Sequence, residues 1–216
     1  AKLNTENDIS FNVSKKLKFN DLKIKSKINL DQLVLKNNFI DLKPYIPDLD
    51  KAINFENHEI IINYDKDKLY IKGNGKILIK DKLDSIRYEI IKDNNKFIFD
   101  TEVNLKHSKL LIDFLDFKKK KDLDTSVLIK GNFKNNKSIN FDLVSLIAKN
   151  NNISFKGLNL ANDLKIRSIN SFDFDYLNNK KIKNQLFLKK NNSNYTIEGK
   201  SFDATKLINK IMDYND

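Results

Sequence analysis

Cysteine and tryptophan are absent from the 216 residues, and glycine (5), proline (2), histidine (2) and arginine (2) are scarce. Without cysteine there is neither a disulfide framework nor a thiolate metal site, which leaves the redox compartment open. Acid–base catalysis near neutrality wants a titratable group poised there, and His58 and His107 are the only histidines. His107 reads as a surface residue just ahead of a helix, and His58 as part of a solvated turn, Glu56-Asn57-His58-Glu59. No phosphate loop, nucleophile elbow or dinucleotide fingerprint occurs. Acidic pairs at i, i+2 (Asp48/Asp50, Asp65/Asp67, Asp122/Asp124, Asp173/Asp175) lack the Gly turn and further ligands that a cation site needs. The expectation is therefore a protein that is not an enzyme, with no metal and no cofactor.

Long apolar runs are also missing. No stretch of about 18 apolar residues is available to span a membrane as a helix, and no charged-then-apolar leader opens the chain. Ala1 in place of Met reads as the start of a mature or excised piece. The formal charge of +11 invites a nucleic-acid partner. Two arginines argue against a dedicated phosphate-gripping site, because the bidentate fork belongs to Arg. Richness in Lys, Asn, Ile, Phe and Asp is the signature of AT-rich coding, so no specific nucleic acid is expected.

What is present is period-two alternation, which puts successive side chains on opposite faces of a sheet. Leu22, Ile24, Ser26, Ile28 and Leu30 alternate with Lys23, Lys25, Lys27, Asn29 and Asp31. Phe97, Phe99, Thr101, Val103 and Leu105 repeat the pattern, followed by Ile139, Phe141, Leu143, Ser145 and Ile147, then Ile166, Phe172, Phe174 and Tyr176. Each predicts a strand with one wet and one dry face. Strands are expected at about 9–14, 17–30, 59–65, 68–79, 85–93, 96–106, 125–134, 138–149, 152–160, 164–177, 181–190 and 194–200. Asn pairs such as Asn94-Asn95, Asn135-Asn136 and Asn178-Asn179 supply turns, since Asn tolerates the left-handed conformation.

Two helices are expected. One covers 108–117, from the stripe Leu110, Leu111, Phe114, Leu115 with Ser108 as N-cap. The other covers 203–213, with Asp203 as cap and Phe202 as staple. Residues 37–55 read as a loop with one turn of helix. Ile71-Lys-Gly-Asn74 recurs as Ile129-Lys-Gly-Asn132, which places glycines inside strands at bulges or close approaches. The fold class is mainly β: a long curved antiparallel β-meander with two short helices, one continuous unit over 1–216 whose pseudo-halves 1–106 and 118–216 are joined by the helix at 108–117.

Asp41-Leu-Lys-Pro-Tyr-Ile-Pro47, His58-Glu-Ile-Ile-Ile62, Leu69-Tyr-Ile-Lys-Gly-Asn-Gly75, Asn104-Leu-Lys-His-Ser-Lys-Leu-Leu111 and Ile197-Glu-Gly-Lys-Ser-Phe-Asp-Ala-Thr-Lys-Leu207 carry a resemblance. In this order, over about Leu30 to Met212, the chain resembles the AsmA-like superfamily of Gram-negative envelope proteins, specifically their YhdP-type segment. The resemblance implies a repeating β-groove whose apolar face carries phospholipid acyl chains between inner and outer membranes. It also implies a periplasmic body with an inner-membrane anchor elsewhere in the full-length protein, so that this chain is one segment of the groove. The groove-facing residues are then Ile86, Tyr88, Phe97, Phe99, Val103, Ile139, Phe141, Leu143, Phe172, Phe174 and Tyr176. Periodicity alone leaves a second possibility open, a structural or adhesive β-rich module with a closed core, because sandwich and groove both need one dry face.

Overall fold

Alternating sequence, short turns and the near absence of helix-length stripes produce a sheet whose strands follow one another in space in their chain order. The computed structural model describes residues 1–36, 42–49, 52–134, 138–161 and 165–212. The first half contributes β1 (Lys2–Val13), β2 (Phe19–Lys36), β3 (Ala52–Asp65), β4 (Lys68–Leu78), β5 (Leu83–Asp93) and β6 (Lys96–Asn104). An excursion follows, made of β7 (Leu110–Ile112), a 3-10 turn (Asp113–Leu115) and β8 (Phe117–Lys119). The meander resumes with β9 (Thr125–Lys134), β10 (Ile139–Ala148), β11 (Asn151–Leu160), β12 (Ile166–Ser168), β13 (Ser171–Leu177), β14 (Lys183–Asn191) and β15 (Asn194–Ser201). Helix α1 (Thr205–Met212) ends the described chain.

All but β7 and β8 join one antiparallel sheet of 13 strands that runs from β1 to β15 without closing on itself. A twisted sheet of this many strands coils rather than lying flat. Asn94 and Asn192 turn hairpins at positive φ, 53° and 55°, the role foreseen for Asn; Lys66 and Lys149 do the same elsewhere. The pair Asn135-Asn136 and residues 37–41, 50, 51, 164 and 213 lie outside the described residues.

The expected helix over 108–117 is not formed. Ser108, foreseen as its cap, instead donates its hydroxyl to Asp84 Oδ2 at 2.8 Å, while Asp84 Oδ1 accepts the amides of Lys106 and His107 at 2.8 and 2.9 Å. Buried Lys119 reaches back from β8 to donate to the carbonyls of Lys106 and Ser108 at 2.8 and 2.6 Å. The Leu111 amide donates to Tyr45 O at 2.8 Å. These contacts consume the groups a helix would use, and the segment becomes a small hairpin with Asp116 left-handed at its corner.

That hairpin is a cap. Leu105, Leu110, Leu115 and Phe117 are buried together with Leu49, Ile77 and Ile79 on one side and Leu146, Ala148, Ile153, Phe174 and Tyr176 on the other. Tyr176 donates its hydroxyl to Leu115 O at 2.9 Å and meets the Phe117 ring edge-on at 5.8 Å. Helix α1 is tied to the same end: Asp203 accepts the amide and hydroxyl of Thr205, and its own amide donates to buried Asn184. The cap of the second helix thus stands as foreseen, and Phe202 packs against the core beside Phe174.

Candidate functional site

The register carries one apolar face across the sheet in rows. Nearest the 65–68 and 93–96 hairpins, Ile24, Tyr64 and Leu69 lead through Lys92 to Phe97 and Phe133, and onward to Ile139 and Leu160. The next row passes Ile62, Ile71, Ile90 and Phe99 to Gly131 and Phe141. A third runs from Ile60 by Gly73 and Tyr88 to Ile129, then Val144, Phe155 and Phe172. The fourth takes in Ile86, Val103, Val127, Leu146, Ile153 and Phe174.

Cover divides this face in two. Ile86, Val103 and Phe172 pack against the capped core, while Phe174 and Tyr176 belong to it at 5% and 0% exposure. Phe97, Phe99, Ile139, Phe141 and Tyr88 are half-buried, in rows away from the core residues of the cap. Shielding there comes from neighbouring side chains on the same sheet. Phe97 stacks on Phe133 with ring centres 4.7 Å apart, and Phe99 meets Phe141 edge-on at 5.9 Å.

Glycines form the floor beneath the rings. Tyr88 lies over Gly73, where a methyl group would stand 2.3 Å from the ring, and Phe99 lies close above Gly131. The repeated Ile-Lys-Gly-Asn motif is thereby explained: its glycine takes an inward position and lets a cross-strand ring lie down on the backbone. Burial raises the Tyr88 and Tyr176 phenol pKa values above the ordinary value, which keeps both neutral.

Leu143 is the one residue of the expected groove that the alternation puts on the wrong face. A bulge between Phe141 and Leu143 shifts β10 against β9, and Gly157 in the facing strand takes φ +61°. After it Leu143 pairs with Lys130 and Lys156, while Val144 pairs with Ile129 and Phe155 on the apolar side. Ile147 is accordingly 53% exposed and Leu146 buried, and Ile166 stands 69% exposed in the short β12.

His58 is also corrected. It is not in a solvated turn but at a bulge inside β3, where Asn57 has φ 51°, with its ring only 2% exposed over Gly75 and beside Phe55 and Tyr88. Its Nε2 lies 2.9 Å from Lys76 O, a donor's place, and among the described residues Nδ1 has no partner. His107 contacts Asp122 at 2.9 Å near the cap. Among the described residues no cluster of three or more His, Cys, Asp or Glu side chains could hold a metal.

The opposite face carries the charge. Lys23–Asp65, Lys27–Glu59, Arg87–Glu102 and Lys130–Asp100 bridge neighbouring strands at 3.2, 3.4, 2.6 and 2.8 Å, and Lys183 pairs with Asp175. Asp173 is exposed there, the wet-face position its alternation with Phe172 and Phe174 predicts.

Sequence reasoning missed Ile60, Ile62, Ile71, Ile90, Ile129, Phe133, Val144 and Phe155. Runs such as Ile60-Ile61-Ile62 and Ile90-Ile91 hide the period, because Ile61 and Ile91 are apolar residues of the outer face. Compared with protein-family models, with curated proteins and with solved structures, the chain matches none.

Proposed function

We propose that this chain is a non-enzymatic lipid-carrying segment, whose apolar sheet face holds phospholipid acyl chains on their way between inner and outer membranes. The observation that supports it is the part of that face left uncovered by the described residues: rows of Ile, Phe and Tyr from β3 to β11 that these residues cap at one end of the sheet. An acyl chain laid along it leaves water at about 0.8 kcal/mol per methylene, and the head group can stay outside. No bond is made or broken, so the reading asks for no catalytic group. The resemblance to AsmA-like proteins adds the setting, a periplasmic body with an inner-membrane anchor in the full-length protein.

A second reading, the adhesive or structural module, draws on the sheet edges. β1 is exposed along its whole length and carries Leu3, Ile9, Phe11 and Val13. Such an edge is a template for another strand.

Photo-crosslinking separates the two. Probes at Phe99 and Phe141 should capture phospholipid, and probes at Asp100 and Asp142 should not. Capture at all four positions alike, or at none, sinks the lipid reading. A probe at Phe174 serves as the closed-core control, since it lies under the cap.

A further inference from the structure

The apolar face has one cation in an unusual place. Among the described residues of its rows from β3 to β11, the only charged side chains are Asp84 and Lys92. Asp84 is accounted for, buried under the cap with three donors. Lys92 lies at the other end, in the last row before the hairpin tips, half-buried with its ammonium 5.7 Å from the centre of the Phe97 ring. It lines a cavity of about 380 Å³ with Tyr64, Asp67, Leu69, Asn94 and Asn95.

Two opposite charges therefore share one recess at the mouth of an apolar surface. Among the described residues neither Lys92 nor Asp67 forms an ion pair, although cross-strand pairs are the rule on the outer face of the same strands. Tyr64 and Leu69 floor the recess on the acyl side, and the Asn94 and Asn95 amides stand at the hairpin tip. A phosphate is attracted to the half-buried Lys92 ammonium, and a primary amine to the exposed Asp67 carboxylate, each through a charge-assisted hydrogen bond. A plain anion would meet Asp67 and gain less.

From this we infer that the recess between the β3–β4 and β5–β6 hairpins is a subsite for the zwitterionic head group of a glycerophospholipid, phosphate toward Lys92 and amine toward Asp67. The inference rests on the lipid-carrying reading and extends it to the lipid's chemical class. Lys92 acts as the phosphate contact, and its stem continues the apolar row, so the acyl chains of the same molecule enter the face beside Phe97.

The test uses the full chain and three photoactivatable lipids of identical acyl composition: phosphatidylethanolamine, phosphatidylglycerol and diacylglycerol. Wild type is expected to capture phosphatidylethanolamine about tenfold better than diacylglycerol, the worth of one charge-assisted contact. Lys92→Met keeps the apolar stem on Phe97 and should lose the phosphate's share of that preference while capturing diacylglycerol as before. Asp67→Lys should move the preference to phosphatidylglycerol. Equal capture of all three lipids by wild type, or an unchanged preference in Lys92→Met, overturns the head-group subsite and leaves the acyl face standing. No capture of any lipid, diacylglycerol included, overturns both. Glycerophosphoethanolamine is the last arm: displacement of the lipid by this chain-free solute at matching concentration would assign the recess to a soluble phosphate ester and overturn the lipid assignment.

Discussion

Gly73 shows how much a single hydrogen decides. With Tyr88 lying where a β-carbon would be, Gly73→Ala must lift the ring into the space above the sheet, and a loss of about 1–3 kcal/mol in urea unfolding is expected. Lys119 makes the complementary case inside the cap. Burial lowers its pKa, against the raising influence of Asp84, Asp122 and Asp124, and its ammonium is held by two carbonyls. Lys119→Met should cost about 1–3 kcal/mol, because Lys106 O and Ser108 O lose their donor; an unchanged midpoint would refute that role. At Asp203, hydrogen bonds from the Thr205 hydroxyl and amide lower the carboxyl pKa below its ordinary value. A depressed acid stabilises the fold above its unfolded pKa of about 4 and loses that contribution as pH falls through the folded one. Protection of the α1 amides, taken relative to the intrinsic exchange rate at each pH, should therefore fall in acid, and Asp203→Asn should flatten that pH dependence.

At the scale of elements, the contrast is between the capping hairpin and the open rows. Phe117 is 2% exposed at the centre of the core, so Phe117→Ala should cost about 3–5 kcal/mol. Phe141 is half-buried with no cap above it among the described residues, and Phe141→Ala should cost no more than about 2 kcal/mol. Equal losses would mean that Phe141 belongs to a closed core. The same division applies to charge. Phe141→Asp leaves the carboxylate partly hydrated, whereas Phe174→Asp buries it unpaired beneath Phe202 and is expected to unfold the domain.

For the whole molecule, an uncovered apolar face makes stability depend on what occupies it. A ligand that binds only the folded state adds stability by mass action, about 2.7 kcal/mol at one hundred times its dissociation constant. A single-chain lysophospholipid below its micellar concentration should thus raise the melting temperature progressively in a thermal-shift titration. No shift up to saturation would count against an acyl-binding face. The two exposed edges, β1 and β15, make the sheet extendable at both ends, and strand addition there would lengthen the apolar face without altering its rows.

Strand periodicity and turn chemistry lay in the sequence itself. Leu22 to Leu30 and Phe97 to Leu105 alternate because one face is dry, short connections force antiparallel neighbours, and Asn94 turns where Asn was expected to. The Asp203 cap was legible for the same reason: its partners are two residues away. What depended on distant partners was not. Residues 108–117 have a helical stripe, yet Asp84 and Tyr45, remote in sequence, and Lys119 from the returning strand take the hydrogen bonds that a helix would have used. The bulge at Phe141 and Leu143 turns the apolar period over by one residue, and nothing within β10 announces it, because the register is settled against β9 and β11. Which part of the dry face is capped and which stays open was likewise decided by tertiary structure, since a side chain's alternation records the face it shares but not what lies above it.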